Sequence, residues 1–101
     1  MDSISLSELT NRIQETLKIN FDTAVWIRAE ISELRENYNG HCYLELIEKE
    51  NNTDVLLAKT KATIWSSTYK MLKPYFESST GQNLRSGFSV LVAVSVEFHG
   101  V

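Results

Sequence analysis

Residues Val25 to Leu46 read VWIRAEISELRENYNGHCYLEL, and this stretch decides the fold. Its first half alternates, with Val25, Ile27, Ala29 and Ile31 on one face and Trp26, Arg28, Glu30 and Ser32 on the other. Successive side chains of a strand point to opposite faces, so a period of two with one apolar side marks a half-buried antiparallel strand. The second half repeats the pattern, with Cys42, Leu44 and Leu46 inward and His41, Tyr43 and Glu45 outward. A polar loop ending in Asn39-Gly40 joins the two. One core face and one polar face is the plan of a small β-barrel.

Upstream, Leu6, Leu9, Ile13 and Leu17 recur at helical spacing, and Ser5 with Glu8 three residues on forms a capping box. These predict a helix from Ser5 to about Ile19, ended by Asn20 and Asp22. Downstream, EKENNTD (Glu48–Asp54) reads as a solvated hairpin loop. Leu56–Trp65 follows as a third strand, with Thr60, Ala62 and Ile64 inward and Lys59, Lys61, Thr63 and Trp65 outward. Ser66 or Ser67 caps a short helix carrying Tyr69, Met71, Leu72, Tyr75 and Phe76. Pro74 lacks a donor and crowds the previous turn, which predicts a kink or an end near Lys73. Glu77–Gly87 reads as loop, and Phe88–Phe98 as a fourth strand with Val90, Val92, Val94 and Val96 on one face.

Helix, three strands, helix, strand is the order of an OB-fold β-barrel preceded by an N-terminal helix, a mostly β fold with helices. The chain is expected to form one such domain over residues 1–101. A complete OB barrel has five strands, so the fifth is expected to be truncated at His99-Gly100-Val101. An open edge on the third and fourth strands follows, and with it pairing of two copies through the fourth strand.

Hydrophobic residues make up 43% of the 101, which is enough for a core and excludes a disordered chain. No apolar run approaches the length of a membrane span, and MDSISLSEL lacks the basic-then-apolar order of a secretory signal. Cys42 is the single cysteine and cannot form an internal disulfide. Together these favour the cytoplasm. The net charge of −3 runs against a basic nucleic-acid binder, but the distribution is uneven. Residues 1–58 hold five basic and eleven acidic side chains; residues 59–85 hold Lys59, Lys61, Lys70, Lys73 and Arg85 against Glu77 alone.

The outward residues His41, Tyr43, Lys59, Lys61 and Trp65 are the leading site candidate. Flat rings stack bases and lysines follow phosphates, which is how OB surfaces hold single strands. The alternative is that the rings merely cover the barrel wall while the lysines are solvated. Arg28 and Arg35 flank the first loop, which carries Tyr38 and Asn39; Arg28 and Tyr38 join the candidate set, although pairing with Glu30, Glu33 or Glu36 would account for the arginines. Trp26 lies on the outward phase and is expected beneath the N-terminal helix. His41 and Cys42 are adjacent and point apart on a strand, so neither a metal site nor a catalytic triad is indicated. No phosphate-binding glycine loop is present, and no cofactor is expected.

The run VWIRAEIS, then NGHCYLEL, then KATIW resembles the N-terminal domain of the exodeoxyribonuclease VII large subunit. The matching residues are Trp26, Glu30, Ile31, Ser32, Gly40, His41, Tyr43, Leu46 and the pair Ile64-Trp65; Ala29, Leu44 and Ile47-Glu48 depart from the pattern. The resemblance implies a parent hydrolase that degrades single-stranded DNA to oligonucleotides together with a small subunit. Its OB domain would grip the strand while the nuclease chemistry lies elsewhere in the parent chain, so no catalytic residue is carried over. An OB module for protein contact, or one from a helicase or tRNA-binding enzyme, is the alternative.

Overall fold

The computed structural model describes residues 1–99. The elements are α1 (Leu6–Asn20), β1 (Val25–Glu36), β2 (Cys42–Lys49), β3 (Leu56–Ile64), α2 (Ser66–Thr80) and β4 (Ser89–Val94). The four strands form one sheet in the order β3-β2-β1-β4, which leaves β3 and β4 as its end strands among the described residues. The chain divides into two compact units, residues 28–90 and residues 1–27 with the segment from Leu91 onward.

The larger unit is built on β1, β2 and β3, paired antiparallel throughout. On the inward face, Ile31 stands opposite Leu46, and Leu46 opposite Thr60; Leu34, Leu44 and Ala62 form the next rung, and Glu36, Cys42 and Ile64 the last. Ile31, Cys42 and Leu46 are buried there, joined by Tyr69 of α2. Ile47, one residue out of phase, is also buried. A β-bulge at Ser32 separates the Ile31–Leu46 pair from the Glu33–Glu45 pair. The extra residue reverses the strand's phase, so Leu34 and Glu36 point inward and Glu33 and Arg35 outward.

Helix α2 runs to Thr80, beyond the predicted end near Lys73 and into the predicted loop. Pro74 lies within it and removes the donor that Lys70's carbonyl would use. Both residues are exposed, so water can satisfy that carbonyl, and the inward Tyr69, Leu72, Lys73 and Phe76 hold the rest of the helix. Gly81, at φ 72°, ends it in the left-handed conformation and donates its N–H to the Glu77 carbonyl. Gly87, at φ 94°, then donates to the Ile31 carbonyl, and the Ile31 N–H returns to Phe88. The β2–β3 hairpin closes through Glu50 N–H to Val55 and Thr53 N–H to Glu50, with Asn52 at φ 61°.

In the smaller unit, Ser5 caps α1 as predicted, its Oγ accepting the Glu8 N–H at 3.1 Å. Ile13 and Leu17 are half-buried. Gln14 Nε2 donates to the Phe98 carbonyl at 3.0 Å, tying the helix to the C-terminal segment. The strand β4 stops at Val94, short of the predicted Phe98, although Val92, Val94 and Val96 remain half-buried between exposed neighbours. Trp26 corrects an expectation. It is 69% exposed and not covered by a helix, because the alternation of β1 turns Ile27, not Trp26, away from solvent. Among the described residues no helix is long and apolar enough to cross a membrane.

Candidate functional site

The outward face of β1, β2 and β3 is organised in rungs. The rung nearest the β1–β2 loop carries Arg35, Tyr43 and Thr63; the next carries Glu33, Glu45 and Lys61; the third carries Glu30, Ile47 and Lys59. Arg35 and Tyr43 face each other across the ladder, and the guanidinium carbon lies 5.5 Å from the ring centroid, a cation–π contact.

His41 extends the row beyond the first rung. Its ring meets Tyr43 edge-on at 6.3 Å between centroids and Trp65 edge-on at 5.1 Å. Its Nδ1 accepts the backbone N–H of Ser66 at 2.9 Å. The first N–H of a helix has no intrahelical acceptor, so this bond substitutes for the serine cap that the sequence led one to expect. Trp65 occupies the N-cap position and makes no side-chain cap bond; its carbonyl accepts the N–H groups of Thr68 and Tyr69. Gly40, at φ 87°, makes this junction possible, since a Cβ there would stand 3.0 Å from Ser66 Cβ.

The lysine end is different in character. Lys59 Nζ lies 3.4 Å from Glu45, and Ser32 Oγ donates to the same carboxylate at 2.8 Å. The Ser32 hydrogen bond, helped by Lys59 and by the field of Lys61, holds the Glu45 carboxyl below its usual range. Lys49 pairs with Glu30 at 3.8 Å.

On the opposite face, the inward phase of Glu36 brings it to α2. Lys73 Nζ donates to its carboxylate at 2.9 Å, and Tyr69 also hydrogen-bonds it. The lysine bond, then the tyrosine, hold Glu36 below its ordinary range, while burial pushes the phenol of Tyr69 and the thiol of Cys42 up. This network fastens α2 to the sheet and faces away from the aromatic row.

Of the residues singled out in the sequence, His41, Tyr43 and Trp65 come together as one row. Lys59 and Lys61 share the outward face but sit beside Glu45. Tyr38 is 99% exposed in the turn between β1 and β2, and Arg28 lies further along β1 among the exposed residues; neither joins the row. Among the described residues neither Arg28 nor Arg35 forms an ion pair with Glu30, Glu33 or Glu36; Glu30 and Glu36 bind lysines instead. The bulge that turns Arg35 outward leaves one trace in the sequence, Leu34, an apolar residue out of phase with Ile27, Ala29 and Ile31. Among the described residues no group of three or more His, Cys, Asp or Glu is placed to hold a metal ion.

The family described as OB-fold nucleic acid binding domain matches residues 4–101. The chain belongs to this family. As an OB-fold domain it is homologous to the exodeoxyribonuclease 7 large subunit. It is 31% identical over 100 residues to that protein of Deinococcus radiodurans, covering 95% of this chain and 24% of the relative. The Rhodopirellula baltica large subunit is 30% identical, covering 82% of this chain and 16% of the relative. The Salinibacter ruber protein is 26% identical, with 81% and 18% covered. The OB domain thus spans about a quarter or less of the length of these curated relatives. No solved structure matches it.

Proposed function

We propose that this OB domain binds single-stranded DNA without cutting it, as the strand-gripping part of an exodeoxyribonuclease VII large subunit. The observation that carries the reading is the row Tyr43, His41 and Trp65 on the outward side of β2 and β3. Base–aromatic stacking contributes roughly 1–3 kcal/mol per base and tolerates any sequence, so binding is weak and without marked base preference. The whole chain acts as one binding module in the cytoplasm. Hydrolysis of the strand and contact with a small subunit belong to other parts of a longer parent chain. Two copies of the domain pair through the open edge of β4.

Titration of a labelled oligothymidylate at low salt tests the reading. Saturable binding without cleavage is expected, and Tyr43→Ala should weaken it several-fold while the domain stays folded. Absence of binding, or affinity untouched by Tyr43→Ala, contradicts it. A protein-contact module is the second reading, favoured by the two carboxylates of the middle rung, Glu33 and Glu45, which repel phosphates.

A further inference from the structure

We propose that Arg35, and not the lysine pair of β3, makes the phosphate contact of this surface, within a preformed site shared with Tyr43, His41 and Trp65 at the loop end of the sheet. The inference rests on the reading that the surface binds a single strand, and it says where on the surface the strand lies.

The rungs separate the two ends by charge. The first holds one cation, Arg35, and no acid; the second holds Glu33 and Glu45 against Lys61; the third holds Glu30 against Lys59. A phosphate placed on the second rung meets two carboxylates within one strand spacing of each other. Lys59 is already bound to Glu45, whose other partner is the Ser32 hydroxyl, so drawing the ammonium towards a phosphate breaks an existing pair and leaves Glu45 facing the new anion. Positive charge without a carboxylate on the same rung therefore meets the flat rings at the first rung, whereas Lys61 shares its rung with Glu33 and Glu45.

Arg35 is prepared for that role. Its guanidinium carbon lies over the Tyr43 ring at 5.5 Å, a contact that restrains the group without using its N–H donors. Among the described residues no carboxylate lies within ion-pair distance of it; Glu36, its sequence neighbour, points to the other face and binds Lys73. His41 supplies a second donor. Because Nδ1 accepts from Ser66, the neutral ring carries its proton on Nε2. A guanidinium fork and an imidazole N–H thus flank rings on which adjacent bases can stack, an arrangement suited to the phosphodiester between two stacked nucleotides.

Anisotropy titrations of a labelled oligothymidylate over a salt series decide the matter, using the wild type, Arg35→Gln, Arg35→Lys and Lys59→Gln. Each phosphate contact on a single strand contributes about −0.7 to the slope of log affinity against log salt. Arg35→Gln should flatten the slope by about that amount and weaken binding about tenfold at low salt. Arg35→Lys should restore the slope but not the full affinity, which a packing role for Arg35 would not produce. Lys59→Gln should leave the slope as in the wild type. Circular dichroism confirms that each variant is folded. A wild-type slope in Arg35→Gln, or an equal flattening in Lys59→Gln, overturns the assignment while the functional reading stands. Failure of the wild type to bind overturns both.

Discussion

At Glu36, a strand residue that the bulge turns inward, the carboxylate accepts a hydrogen bond from Lys73 Nζ at 2.9 Å and is further held by Tyr69. Its pKa is lowered, so the folded state favours the ionised form. The stability it contributes is fully present above the ordinary value of 4.5 and is lost as pH falls through the lowered folded value. Glu36→Gln should therefore lower the urea midpoint at neutral pH, and the gap from wild type should narrow well below pH 4.5. A gap that is constant with pH would show that the charge of Glu36 is not what holds Lys73. The half-exposed position of this pair keeps the effect small.

Two glycines decide how the elements join. Gly81 ends α2 at φ 72° in open space, so Gly81→Ala is penalised only by the left-handed backbone, about 1 kcal/mol. Gly40 carries the same kind of penalty at φ 87°, and its added Cβ would also press on Ser66 at 3.0 Å, displacing the N–H that His41 accepts. Gly40→Ala should thus be clearly more destabilising than Gly81→Ala in thermal or urea unfolding; equal costs would mean that the β1–β2 turn and the start of α2 are not coupled. At this scale much of the fold is legible in sequence. The alternation of Val25–Ile31 and His41–Leu46, the Ser5 cap and the hairpin between β2 and β3 all follow from local chemistry that the structure keeps. The bulge at Ser32 is less legible, because one inserted residue reverses the phase without changing composition, and Leu34 is its single trace. The continuation of α2 past Pro74 depends on what the inward side chains meet, which local propensity does not contain. Cap chemistry misleads at Ser66 for the same reason: its N–H is satisfied by a histidine 25 residues earlier.

For the whole molecule, the end strands β3 and β4 present one side of their backbone without a neighbouring strand among the described residues. An exposed edge is a template for pairing, and β4 offers half-buried valines with no charged side chain between Ser89 and Val94 to discourage it. Sedimentation over a concentration series should show dimers at high concentration; a compact monomer throughout would contradict pairing through β4. The candidate site was partly legible at this scale too. Its rings could be named from the outward phase of β2 and the end of β3, whereas the neutralisation of Lys59 by Glu45 appears only when the rungs are aligned. A nuclear magnetic resonance titration of the isotope-labelled chain with oligothymidylate shows directly where the strand lies. Shifts should concentrate at Arg35, His41, Tyr43, Trp65 and Ser66 and be small at Lys59 and along α2 beyond its first turn. No shifts, or shifts centred on the Lys59 end or on the far side of α2, would show that the aromatic row does not hold the strand.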